Sequence, residues 1–527
     1  MSCIDSSTTT NGGFRVNVNL RKRLQQRKRR LLNRIDKSHI PSTPAIDTPT
    51  LELQLADRTQ AISAGGLCPI LQMIKTLDLR HHINSCIPIF KVYAPYDEAD
   101  HVLNIALNLL AGGTCLDHLE IRRTDEAYLN ALGAQRIPDP TTAGDFCRRF
   151  DEMKILMLMQ AINKSRLQVW TQQPAEFFER AIIEADGTMV ETSGQRKEGI
   201  GMNYKKQWGY HPLVVTLANT QEVLYIHNRS GSRPSHENSG FFFDRSIELC
   251  RGAGFKEILL RGDTDFALTT EFDRWDDDSV KFIFGYDAKP NLVDIAESLG
   301  NDAWKPLRRR QPEEPKTARR STRPDYKQHV IEENEYLDKR LIGEWITEFD
   351  YQPGACNRTY RMVVVRKLIE TARAGERLFE EYVYFFYITN ESKARCSSRQ
   401  VVFNSNERCD QENTISQLHA SGALAAPLDN LTSNGAYMAI ASLAWSLKCW
   451  SGLMIRPEGT AKQKEKQYET RNRLLRMEFQ TFLQTIIQIP AQIVRTSRKL
   501  VYRLLTFRSS AEIVFTLFEH TSRPLRC

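Results

Sequence analysis

The sequence has no C-x-x-C pair, and its eleven cysteines fall at irregular spacings. That excludes zinc ribbons and disulfide scaffolds and points to reduced thiols in a cytosol. No apolar run approaches the roughly 18 residues that would suggest a membrane span. The opening MSCIDSSTTTNGG is polar and does not read as a signal peptide. No internal repeat stands out, so a solenoid or propeller is not expected. The expectation is a cytoplasmic chain with no membrane partner. At 527 residues it is too long for one core, so roughly two to four structural units are expected.

What the sequence does have is uneven positive charge. The formal net charge is +8, and between Arg15 and Lys37 ten Lys or Arg stand against the single acid Asp36. A second run, Arg308, Arg309 and Arg310 through Arg319, Arg320 and Arg323, lies in a Pro-containing stretch. Such clusters favour a polyanion, most commonly DNA or RNA. Either run could also be a solvated tail.

Along the chain, residues 1–50 read as a basic, flexible arm with helical character over 20–35 and a Pro/Thr linker at its end. Residues 51–56 alternate as a short strand would. From residue 67 to about 163, apolar residues recur at three- and four-residue steps, which predicts a helical domain over 51–175 suited to binding DNA ends or simply to packing. From residue 180 the pattern turns to strands: 181–190, 212–217 and 222–227, a helix over 243–252, a strand at 257–260, a helix, and a strand at 280–284. Three strands joined by short turns and then α-β-α-β is the order of a ribonuclease-H-like core with a mixed five-stranded sheet. The core would occupy 176–290 and 405–455, interrupted by a strand-rich insertion with a basic entry over 291–404. A buried helix is expected at 436–450. Residues 456–527 read as a basic helical tail, with an amphipathic helix over 471–505 split at Pro490.

Within this frame three carboxylates stand out. The run RAIIEADGTMVET carries Asp186 at the end of an apolar strand, and KEILLRGDTDFALTTEF does the same with Asp263. NERCDQENTISQLH sets Glu412 on a helix, with Arg408 four residues before it on the same face. Phosphodiester cleavage and strand transfer need clustered hard carboxylates to hold two divalent ions about 3.5–4 Å apart. The candidates are separated by 77 (263 minus 186) and 149 (412 minus 263) residues, so only a fold could gather them. Each has a rival: Asp186 could be a turn aspartate, Asp265 competes with Asp263, and Glu407 competes with Glu412. Arg408 could hold a phosphate bidentately or form a surface ion pair with Glu412. Arg229 and Arg233, in the loop RSGSRPSHENSG, are candidate phosphate contacts, whereas His211 reads as a core or turn histidine. Trp304 and Trp345, in the insertion, read as packing residues rather than platforms for an extruded base.

Several long blocks occur together in order: GMNYKKQWGYHPLVVTLANTQEVLYIHNRSGSRPSHENSG, ILLRGDTDFALT, FIFGYDAKPNLV, NERCDQENTI and RLLRMEFQTFLQTIIQIPAQIVRTSRKLVYRLL. Together they resemble the DDE transposases of bacterial insertion sequences, and among these the insertion-sequence thirteen-eighty family with its strand-rich insertion. The resemblance implies a ribonuclease-H-like core and two Mg²⁺ ions, for which Mn²⁺ can substitute. It implies cut-and-paste transposition of double-stranded DNA, with recognition of terminal inverted repeats, insertion into target DNA, and a homodimer when synapsed on DNA. It also implies that Asp186, Asp263 and Glu412 are the catalytic and metal-binding triad. The related group often shows a Tyr, Arg, Glu, Lys signature around the glutamate. Arg408 and Glu412 match it, whereas Ser405 and His419 stand at the tyrosine and lysine positions, which puts a phosphate contact by His419 in question unless it is protonated. A non-catalytic DNA-binding relic, or a nuclease without strand transfer, would carry much of the same pattern.

Overall fold

The computed structural model describes residues 18–36, 60–90, 95–309, 326–334, 336–373, 376–496, 499–506 and 510–526. Arg310, the expected strand at 51–56 and most of the Pro-rich basic run lie outside them. The chain divides into two compact units, one of residues 174–416 and one that joins residues 1–173 to 417–527.

The unit of residues 174–416 is built on one mixed sheet. Its strands are β1 (Arg180–Gly187), β2 (Leu213–Leu217), β3 (Glu222–His227), β4 (Glu257–Gly262), β5 (Lys281–Tyr286), β6 (Leu337–Tyr351), β7 (Tyr360–Arg373) and β8 (Glu376–Thr389), with the short strand Lys305–Pro306 on one edge. The spatial order is 305–306, β6, β7, β8, β5, β4, β1, β2, β3. The five expected strands are therefore adjacent, but among the described residues the sheet has nine strands. The insertion is an antiparallel meander whose last strand pairs with β5, Phe386 opposite Tyr286 and Ile388 opposite Phe284. Among the described residues, only the β1–β4 and β4–β5 pairs are parallel. Such strands are buried on both faces, which explains their nearly continuous apolar runs. On one face helix α1 (Ser239–Ala253) sets Phe243 edge-on to Trp275 and Phe284. On the other, Val401 and Val402 of helix α2 (Ser398–Asn406) pack with Leu259, Ile283, Val363 and Val365.

The other unit is largely helical. Helix Leu431–Leu453, expected from the apolar run 436–450, is buried along nearly its whole length. Helices Leu67–Thr76, Glu98–Leu110, Pro140–Arg148 and Glu152–Trp170 belong to the same unit. Aspartates cap the last three: Asp97 and Asp100 form a reciprocal capping box, and Asp139 and Asp151 accept from Thr142 N and Lys154 N. The basic run near the N-terminus forms helix Val18–Asp36.

The expected helical tail needs correction. Helix Ala461–Arg476 ends before Met477, and the chain beyond Pro490 forms a hairpin, Ala491–Arg495 with Leu500–Leu504. The hairpin pairs with Gln60–Ile62 to make a three-stranded sheet, and helix Ala511–Thr521 follows. No helix among the described residues is long and apolar enough to cross a membrane.

Candidate active site

Parallel pairing of β1 and β4 places Glu184 opposite Arg261. Two residues further on, on the same face of the sheet, the strands deliver Asp186 and Asp263. Asp186 also stands opposite Val214 of β2, and the buried Gln411 amide donates to Val214 O at 3.2 Å. Gln411 thereby fixes the start of helix α3 (Cys409–Ala420), whose first turn carries Glu412. Two strand ends and one helix start thus bring together carboxylates that lie far apart in sequence.

The guanidinium of Arg408 stands in their midst. Its Nη1 is 3.1 Å from Asp186 Oδ2 and 4.0 Å from Asp263 Oδ2, and its Nη2 is 3.2 Å from Glu412 Oε1. Among the described residues no three acidic, histidine or cysteine side chains stand close enough to share one ion as they are arranged. The arginine, not a shared coordination point, is what the carboxylates have in common. Burial pushes the Asp186 carboxyl up to about 7, with Arg408 opposing and Asp263 and Glu412 adding to the rise. Asp263 is raised as well, by burial first and by Asp265, again against Arg408. Of the competing aspartates it is Asp263 that caps the following turn, accepting from Asp265 N at 3.0 Å. Glu412 is more exposed than either aspartate. A cleft of about 340 Å³ opens beside Asp263 and Arg408, lined also by Tyr286, Asp287, Tyr384 and Ser405.

Glu184 and Arg261, which received no role from the sequence, lie directly beneath. Their ion pair is 2.7 Å long, with side chains 1% and 4% exposed. Arg261 Nη1 also donates to Asn404 O on α2 at 2.6 Å and meets Glu407 Oε2 at 3.2 Å. One arginine therefore links both aspartate strands to the junction before Arg408. The available signal was a charged residue inside each apolar run, two positions before each aspartate: AIIEAD and ILLRGD.

The remaining candidates are placed differently. Arg229 is buried and inward-facing. It donates to the backbone oxygens of His211, Pro234, Ser235 and Glu237 at 2.8–3.1 Å, and burial lowers its pKa to about 10. It organises its loop and presents no free head to a phosphate. A β-carbon on Gly187 would lie 2.8 Å from His211 Nε2 and 3.3 Å from Arg229 Nη2, so glycine after Asp186 permits this packing. Arg233 is exposed and paired with Glu237. His419 lies seven residues beyond Glu412 on α3 and is half-buried, and burial favours its neutral form. Arg308 is exposed, whereas Arg309 pairs with Glu344 at 2.5 Å. Trp304, Trp345 and Tyr382 surround the Arg366 guanidinium at 4.3, 5.5 and 4.7 Å, a packing role for both tryptophans.

The profile of the family "Transposase DDE domain group 1" matches residues 51–523. No curated protein matches the sequence. Among solved structures the chain is similar to a piggyBac transposase synaptic complex with hairpin DNA, determined by cryo-EM. The two are 10% identical over 81% of this chain and 84% of that chain, with a TM-score of 0.34.

Proposed function

The chain belongs to the transposase DDE domain group 1 family, and from that premise we propose that Asp186, Asp263 and Glu412 are the catalytic carboxylates of a DNA transposase. The observation that carries the reading is their convergence on the single guanidinium of Arg408. Burial first, and then the neighbouring Asp263 and Glu412, push the Asp186 carboxyl up against the opposing charge of Arg408, so the cluster has room for more positive charge. Such a hard-oxygen donor set suits divalent cations.

Mg²⁺ ions held by Asp186, Asp263 and Glu412, two in number and replaceable by Mn²⁺, would supply activation of the attacking oxygen and stabilisation of the leaving oxygen. Arg408, beside the same carboxylates, would grip a phosphate with both nitrogens. Glu184 and Arg261 keep the two aspartate strands in register beneath. The proposed reaction is cut-and-paste transposition: hydrolysis at the terminal inverted repeats of double-stranded DNA, then strand transfer into target DNA. The helical unit and the basic helix Val18–Asp36 would read the ends, and the working form would be a homodimer in the cytosol of a bacterium.

The test is cleavage of a labelled duplex carrying the element's own ends, with Mg²⁺ or Mn²⁺, for wild type beside Asp263→Asn. Cuts at the ends that vanish in the variant bear the proposal out. End-binding without cleavage in either protein points to a regulatory relic, a reading kept open by Ser405 and by the half-buried His419, whose burial disfavours a positive charge. Cutting that persists in the variant would place the chemistry elsewhere.

A further inference from the structure

After Gly187, which follows Asp186 and ends β1, the chain leaves the main sheet and forms a separate three-stranded ribbon: Val190–Glu191, Gly201–Met202 and Trp208–Tyr210. Met202 and Trp208 are direct cross-strand partners and share one face. They are 46% and 50% exposed, and Tyr204, in the turn that joins their strands, is 90% exposed. Exposed rings are ordinary when scattered singly, but here three large apolar side chains crowd the tip of one short hairpin. Lys205 and Lys206 stand between them, with Lys205 Nζ 5.5 Å from the Tyr204 ring centre. From residue 194 to 208 there are four Lys or Arg and the single acid Glu198.

The hairpin is held firmly. Asn203 and Gln207 close the turn: Asn203 N donates to Gln207 O at 3.0 Å, and Asn203 Oδ1 accepts from Lys205 N and Gln207 N at 2.9 Å each. Lys206 takes the left-handed conformation this turn demands, with φ +61°. The base is pinned where Gly231 passes against the ribbon backbone: a β-carbon there would lie 2.4 Å from Gly201 O and 2.6 Å from Gly209 O. Gly231 belongs to the loop that Arg229 ties together from inside. Thr192 N bonds Trp208 O at 3.0 Å, so the Trp208 backbone is tied to a residue six positions along the chain from Asp186. Six extended residues span at most about 20 Å.

We infer that the hairpin carrying Met202, Tyr204, Lys205, Lys206 and Trp208 binds an unpaired DNA strand beside the carboxylate cluster. This rests on the transposase reading of that cluster. A duplex hides the faces of its bases, so uncovered rings suit an unpaired base stacked on them, while the lysines neutralise the adjacent phosphates. Firm anchoring means little order has to be created on binding. The six-residue tether from Asp186 to Thr192 keeps the Trp208 backbone within a span that a few unpaired nucleotides can cover.

The test uses the full chain carrying Asp263→Asn, so that DNA is bound without being cut. The probes are a blunt duplex and the same duplex with an unpaired thymidine tail of about ten nucleotides, a length that single-strand platforms occupy. Tyr204→Ala with Trp208→Ala is expected to weaken binding of the tailed probe by tenfold or more and to leave the blunt probe within twofold. Tyr204→Phe with Trp208→Phe retains the rings and is expected to retain the preference. Lys205→Gln with Lys206→Asn, asparagine being at ease in the left-handed conformation, should lower the salt slope on the tailed probe by about 1.4, two phosphate contacts' worth. Equal loss on both probes, or no loss on the tailed one, overturns the inference while leaving the transposase reading intact. Failure of the parent protein to bind either DNA overturns both.

Discussion

The buried pair beneath the three carboxylates makes a quantitative prediction. Glu184 and Arg261 are 2.7 Å apart and almost completely sealed. At an effective dielectric constant near 20, charges at that distance attract by about 6 kcal/mol, most of which is cancelled by the cost of removing both from water. Removing one partner keeps the cost and loses the attraction. Arg261→Met leaves the Glu184 carboxylate stranded and is expected to cost about 3–5 kcal/mol. Glu184→Met should fall at the low end of that range, because Arg261 keeps the Asn404 carbonyl and Glu407. The double variant Glu184→Met/Arg261→Met removes both charges and is expected to lie within about 2 kcal/mol of wild type, since apolar replacement of a sealed pair is often neutral or stabilising. Urea unfolding of the four proteins gives the coupling energy directly.

The same four proteins separate positioning from stability. In the double variant the strands stay packed, but Asn404 and Glu407 lose the arginine that ties them to β1 and β4. The expected outcome is a folded protein that binds end DNA as wild type does and cleaves it at least tenfold more slowly. Two results would refute the reasoning. Single variants costing under about 1 kcal/mol would mean that water or a shifted strand already relieves the charges. A double variant with full cleavage would mean that the pair stabilises the sheet without aligning Asp186, Asp263 and Glu412.

Arg408→Gln removes the cation that now competes for the three carboxylates, so Mn²⁺ should bind more tightly in the absence of DNA, read by titration calorimetry; an unchanged affinity would mean the arginine does not stand in the ions' way. Glu348 supplies a pH test: burial pushes its carboxyl up, but Lys393, Ser398 and Arg361 together outweigh that and bring it to about 2 from an ordinary 4.5. Because the folded value is depressed, the stabilisation is complete above about pH 4.5 and lost as pH falls toward 2, a difference of about 3 kcal/mol. The stability gap between wild type and Glu348→Gln should narrow over that window, and a constant gap would refute the assignment. Gly231→Ala must push the ribbon away from Gly201 and Gly209, and is expected to lower Tm and abolish the preference for tailed DNA.

Legibility of the sequence followed the range of the interactions involved. The strands bearing Asp186 and Asp263 could be read because burial on both faces makes AIIEAD and ILLRGD apolar almost throughout, a local signal. The same habit of reading hid Glu184 and Arg261, since each charge makes sense only once the parallel register sets it opposite the other. The C-terminal hairpin was obscured by its arginines, which suit a helical face as well as a strand. The discriminating features were Pro490 and the partner strand Gln60–Ile62, more than four hundred residues away in the chain. The joining of the insertion to the core was equally invisible, because the four residues Phe386 to Thr389 that pair with β5 differ in no local way from the rest of YVYFFYIT. The ribbon shows the opposite limit. MNYKKQW has the composition of an aromatic, basic contact surface, but only the cross-strand pairing of Met202 with Trp208 and the close passage of Gly231 distinguish a presented surface from an ordinary loop. Residue type announces the chemistry a segment can perform, and long-range register decides whether the segment is placed to perform it.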